Sequence, residues 1–194
     1  MTAIASLQVL ATRLWPRTDR NALARAILLI VLADTLLALS AHLQVPFWPV
    51  RLSMQSFVVL AIGIAYGRRL GALTVLAYLA EGAAGLPVFQ AGVGLAYLAG
   101  PTGGYLLGFL LSAFTVGALA ERGALTRWPL AVGVILLGEV CIYAPGLAWL
   151  AVLFGPSKAV AFGLTPFLPA ELVKMALALA LLPWLRPAGA RQGP

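Results

Sequence analysis

Residues 86–101 read LPVFQAGVGLAYLAGP. They hold no charge, three glycines and two prolines, too many helix breakers for a regular helix interior. Apolar runs flank them on both sides. The stretch is too long for a tight turn and too apolar for a solvated one. It reads as a loop folded back onto a membrane protein, closing over something small and buried.

The rest of the chain agrees with a membrane setting. Of its 194 residues, 62% are hydrophobic and only 10% charged. A soluble domain of this size cannot cover that much apolar surface, and runs near 20 residues are long enough to cross a bilayer. Strand alternation is absent, so the spans are expected to be helices rather than barrel strands. The net charge of +7 is scattered through short loops and tails, where it would face phospholipid headgroups and not nucleic acid. A single cysteine, Cys141, excludes an intramolecular disulfide. Arg13, Arg17 and Arg20 precede the first long apolar stretch, so no removable signal peptide is expected.

Hydropathy and punctuation predict six transmembrane helices, at about Ala22–Leu43, Leu52–Tyr66, Gly71–Gly85, Thr102–Ala120, Pro129–Leu153 and Pro169–Leu185. Pro145 is expected to kink or divide the fifth. A short segment at Lys158–Gly163 precedes the sixth. Residues 3–15 place Ile4, Leu7, Leu10 and Leu14 at helical spacing, compatible with a surface helix anchored by Trp15 or with a mobile tail. The chain divides into an N-terminal segment (1–21), a transmembrane domain (22–186) and a tail (187–194). With both termini inside, Arg13, Arg17, Arg20, Arg25, Arg68, Arg69, Arg122, Arg127, Arg186 and Arg191 all fall on the cytoplasmic side. Only Arg51 and Lys158 fall in outer loops, and Lys174 lies within the last span. That orientation puts the 86–101 loop on the outer face beside the first loop, LQVPFWPVRLSMQS.

Charges inside spans cost on the order of 2.5–3.5 kcal/mol each and need a reason. Glu171 and Lys174, three apart, share a face at the start of the last helix, either as a mutually neutralising pair or as the lining of a polar cavity. Glu139 and Tyr143, four apart, share a face of the fifth helix, for a structural hydrogen bond or for ligand contact. Asp34 is read as structural or partner-facing. Gln55 and Gln90 each donate and accept, which suits an amide-like ligand. Ala22–Ala26, Gly63–Gly67, Gly104–Gly108 and Ala113–Gly117 are small residues four apart that let helices approach closely. Internal packing is the default for each, but Ala22 and Ala26 could equally serve a membrane partner. A phosphate loop ending in Lys-Ser/Thr is missing, and the lone His42 and Cys141 cannot form a metal cluster. The chain therefore reads as a binder without metal, cofactor or catalytic apparatus.

The motifs VPFWPVRLSMQSF, GRRLGALTVLAYLAEGAAGLPVF, AGPTGGYLLGFLLSAFTVGALAERG and LTPFLPAELVKMALA, in that order between Ala38 and Leu182, resemble BioY. BioY is the biotin-binding S component of energy-coupling-factor (ECF) vitamin transporters. The resemblance implies an all-α six-helix bundle, a biotin pocket near the outer face and a closing loop between the third and fourth helices. It also implies partnership with a transmembrane T component and two cytoplasmic ATPases, in the cell membrane; self-association is left open. By position, the family's acidic and basic pair in the last helix falls on Glu171 and Lys174, and its first-loop Thr-x-Gln pattern on Ser53 and Gln55. Three residues depart from the family pattern: Glu171 replaces an aspartate, Arg51 a proline and Glu139 an uncharged polar residue.

Biotin has a ureido group with two donors and one acceptor, an apolar bicyclic body and a carboxylate tail. Glu171, Gln90 and Gln55 suit the ureido ring, with Glu139 a further carboxylate in reach. Trp48, Phe89, Tyr97 and Tyr143 suit the wall, Lys174 or Arg51 the cation, and the amides of Gly92, Gly94 and Gly100 extra donors. Three other readings stay open: another vitamin or a biotin precursor as cargo, an intramembrane enzyme with Glu171 and Glu139 as acid and base, and a purely structural subunit.

Overall fold

The computed structural model describes residues 22–45 and 52–185. Residues 3–15, Trp48, Arg51 and the C-terminal tail lie outside the described residues. The helices are α1 (Ala22–His42), α2 (Gln55–Ala83), α3 (Gly94–Leu98), α4 (Gly103–Glu121), α5 (Trp128–Phe154), α6 (Pro156–Gly163) and α7 (Leu168–Leu185). A 3-10 turn at Ala124–Thr126 links α4 to α5. Two-residue strands β1 (Gln44–Val45) and β2 (Leu52–Ser53) pair antiparallel, with Gln44 opposite Ser53. The ribbon claims Leu52 and Ser53, so the second predicted span begins at Gln55 instead of Leu52.

Although α2 spans 29 residues, it is a hairpin of two helical arms and not one straight helix. Gly67 departs from helical geometry at φ 78° and ψ −179°. A straight helix would hold residues 55 and 78 about 35 Å apart, whereas Gln55 Nε2 donates to the Tyr78 hydroxyl at 2.7 Å. Two antiparallel arms therefore fold about Gly67, where the sequence places the end of one span and the start of the next. Glu121, at the end of α4, holds the turn. Its Oε1 accepts the Arg68 backbone N–H at 3.0 Å and its Oε2 lies 3.3 Å from Arg68 Nε. A carboxylate there also suits the exposed N–H groups that open the second arm. A methyl built on Gly67 would run into that carboxylate, and one on Gly117 would strike the backbone of Gly67 and Arg68.

Among the described residues, four helices are long and apolar enough to cross a membrane, or five if α6 and α7, bent by 54°, count as one span. Large apolar side chains face outward from the bundle, among them Leu32, Leu36 and Leu39 of α1, Leu107 and Leu111 of α4, and Leu172 and Val173 of α7. That is the surface expected of helices whose solvent is lipid. Inside, one apolar cluster gathers Leu37, Val59, Val75, Tyr78, Phe109 and Ile142, and a second gathers Leu60, Ile64, Val116, Ile135 and Leu182. Gly63 packs against Ala113, and Gly108 against Ile142, so these small-residue positions do serve internal packing. Ala26 is half-buried in α1; the side chain of Ala22 is outside the description. Pro145 sits inside a continuous α5 and does not divide it.

The 86–101 stretch is folded back on the bundle, as its composition predicts, but it also contains the short helix α3 that its glycines argued against. Phe89 is buried in a pit left by Gly82, where any side chain would overlap the ring. Backbone carbonyls tie the loop down: Val88 O accepts from the Tyr78 hydroxyl at 3.0 Å, Gln90 O from Gln44 Nε2 at 3.2 Å, and Gly100 O from Trp149 Nε1 at 2.9 Å. The loop, the ribbon and the α6–α7 bend share one end of the bundle. Arg68, Arg69, Arg122 and Arg127 mark the other.

Gly67→Ala should lower the thermal midpoint of the detergent-solubilised protein. An alanine at positive φ with extended ψ costs about 1–3 kcal/mol, and displacing Glu121 adds to it. Gly133→Ala is the control, since a methyl there meets nothing within 4 Å; its midpoint should stay at or above wild type.

Candidate functional site

The loop end of the bundle holds a cavity that is partly open to the outside. Its floor is built where α5, α7 and the first arm of α2 meet. Lys174 Nζ donates to Glu171 Oε1 at 2.7 Å and to Ser56 Oγ at 3.1 Å. The Tyr143 hydroxyl donates to the same Oε1 at 3.0 Å, and Ser56 Oγ donates to Glu171 Oε2 at 3.0 Å. Glu171 and Lys174 are 7% and 6% exposed. Ions that deep persist only when paired and hydrogen-bonded, and here three donors converge on one carboxylate.

Local structure explains the convergence. Glu171 and Lys174 lie one turn apart on α7, which starts just after the α6–α7 bend. Helical side chains lean toward the N-terminus of their helix, so Lys174 reaches up to Glu171. Ser56 and Gln55 open α2 directly after the ribbon. Ser53 Oγ donates to Gln55 Oε1 at 3.3 Å, and Gln55 Nε2 passes the chain of bonds on to Tyr78.

The walls are aromatic. Phe89 meets Tyr78 edge-on at 5.3 Å and stacks on Tyr97 at 5.1 Å. Tyr105 and Phe167 each meet the Tyr143 ring edge-on, at 5.5 and 6.3 Å. Phe109 and Ile142 complete the apolar lining. Gln90 Oε1 is buried without a hydrogen-bond partner among the described residues. It is an acceptor in want of a donor, set in the loop that covers the cavity.

Of the residues singled out from sequence, Gln55, Phe89, Gln90, Tyr97, Tyr143, Glu171 and Lys174 line this one cavity. Gly92 lies under the Tyr97 ring, too close for a side chain. Gly100 lines an adjoining open pocket that shares Gln90, Tyr97 and Thr102 with the first. Glu139 is buried but is not part of the lining, and Trp48 is outside the described residues. Gly103 and Gly104 are packing positions, facing Leu98 and the Pro145 carbonyl. Ser56, Tyr78 and Tyr105 belong to the site but were not singled out. The signal available for them is a hydroxyl within an apolar run, which must find a partner there.

This assembly binds rather than reacts. The ammonium is held on a carboxylate, the serine hydroxyl is occupied on both sides, and the two acidic groups needed for acid–base chemistry do not share the cavity. What it offers is an apolar slot with a polar floor and one unused acceptor in the cover.

Comparison with known proteins identifies the relatives. A model of the BioY family matches residues 11–191. Biotin transporter BioY of Thermotoga maritima is 41% identical over 145 residues, spanning 74% of this chain and 85% of that protein. A probable biotin transporter BioY of Pyrococcus horikoshii is 36% identical over 159 residues, spanning 81% and 94%. The fold matches the crystal structure of the S-component for biotin from an ECF-type ABC transporter, with a TM-score of 0.73 at 23% identity, covering 91% of this chain and 96% of that one. From its apolar helices, its loop-capped cavity and these relatives, the chain belongs to the BioY family.

Proposed function

We propose that this protein captures biotin at the outer face of the cytoplasmic membrane and serves its uptake as the S component of an ECF transporter. The observation that carries the reading is the Glu171–Lys174 couple at the floor of an aromatic cavity that the 86–101 loop covers. Ureido N–H groups suit Glu171 and the unpartnered Gln90 Oε1. The bicyclic body suits the slot between Phe89, Tyr97 and Tyr143, and Lys174 supplies a cation beside it. Gln55 holds Tyr78, and through it the cover. Gly92 and Gly100 let the loop backbone come close.

The two arms of α2 count as separate crossings in this reading. With α1, α4, α5 and the α6–α7 pair they make six, termini inside, the arginine-bearing turns in the cytoplasm and the cavity outside. Ala22 and Ala26, at the inner end of a peripheral helix, offer a contact for the T component. ATP hydrolysis falls to the ATPase partners, because the chain has no phosphate loop. It is a transport subunit and not an enzyme, and it needs no cofactor of its own.

Titration calorimetry on the purified protein should show tight biotin binding. Lys174→Ala strands a buried carboxylate, so affinity should fall a hundredfold or more, equivalent to about 3 kcal/mol or above. Tyr143→Phe removes one of three donors and should cost roughly tenfold. Wild-type protein that takes up no biotin, or that prefers another vitamin in competition, contradicts the proposal. Spin labels on the 86–101 loop should lose mobility when biotin is added, and unchanged spectra would contradict its role as a lid.

A further inference from the structure

Glu139 is a buried acid that the binding reading leaves unemployed. It is 7% exposed, and neither carboxylate oxygen has a hydrogen-bond partner among the described residues. Such a group costs stability unless it is used.

Its place in the bundle shows what it faces. On α5, Tyr143 meets Phe167, just before α7, and Glu171 of α7. One turn back along α5, Glu139 shares a helix face with Tyr143. Residue numbers fall on one helix as they rise on the other, so the two helices run antiparallel and Glu139 sits level with the root of Lys174. Gly138, beside it, is turned instead toward Leu60, Ser112 and Val116. Side chains lean toward the start of their own helix. Lys174 therefore leans up to Glu171 and Ser56, Glu139 leans the opposite way, and the two do not meet in this structure.

A ligand whose N–H groups bond Glu171 competes for the oxygen that Lys174 now occupies. The displaced ammonium then needs another acceptor in an apolar interior, and Lys174 has a flexible four-carbon stem on which to find one. We propose that Glu139 is a positioning residue, the alternate seat of the Lys174 ammonium, taken up when ligand replaces lysine on Glu171. The inference rests on the binding reading above and names how the site keeps its charges paired when it fills.

The test is a paired measurement on Glu139→Gln and Glu139→Leu, in the full-length protein with biotin as probe. The ligand-free thermal midpoint should stay at or above wild type, since the variants remove an unpartnered buried acid. Biotin affinity should nonetheless fall tenfold or more, furthest in Glu139→Leu, and the biotin-induced rise in midpoint should shrink with it. A merely structural residue would lower the ligand-free midpoint as affinity fell, and that outcome overturns the inference. So does wild-type affinity in both variants. Wild-type protein that fails to bind biotin overturns the binding reading first and this inference with it, which distinguishes the two failures.

Discussion

One knot of hydrogen bonds governs the loop end of this protein: Lys174 and Glu171 at 2.7 Å, with Ser56 and Tyr143 completing the carboxylate's partners. It joins three elements, α2, α5 and α7, in an interior where an unpaired ion is costly. The cavity exists because these elements converge on the charge pair from three sides and leave the fourth to the covering loop. The same pair that costs free energy to bury thus fixes where a polar ligand is recognised.

The cover is built on different physics. The 86–101 stretch is held by ring packing and backbone carbonyls, with Phe89 in the pit over Gly82 and three carbonyls accepting from Tyr78, Gln44 and Trp149. Each tie is a neutral hydrogen bond or an apolar contact, worth about 1 kcal/mol net. A loop fastened that way can open and close without itself breaking an ion pair. Tyr78 links the layers, since its hydroxyl accepts from Gln55 beside the floor and donates to the cover.

Much of this was legible in the residues, for reasons that differ by feature. Long apolar runs located the helices because lipid demands them, and GRRL separated the two arms of α2, which part at the non-helical Gly67. Glu171 and Lys174 stood out because buried charge is expensive. Ser56, Tyr78 and Tyr105 did not, because a hydroxyl in an apolar run costs less and is common. The helix α3 was hidden by the glycines around it, and the fit of Phe89 to Gly82 depends on a fold-back that no local pattern encodes. Sharing a helix face with Tyr143 was not enough to bring Glu139 into the lining, since the opposed lean of side chains on antiparallel helices only appears once both helices are placed.

The most direct measurement is an experimental density map of the protein prepared with biotin. The ligand should lie between the Phe89–Tyr97 stack and the α7 charge pair, with polar atoms of biotin on Glu171, Lys174 or both. A map showing that pair turned to lipid, or the cavity collapsed with biotin bound elsewhere, would contradict the central claim.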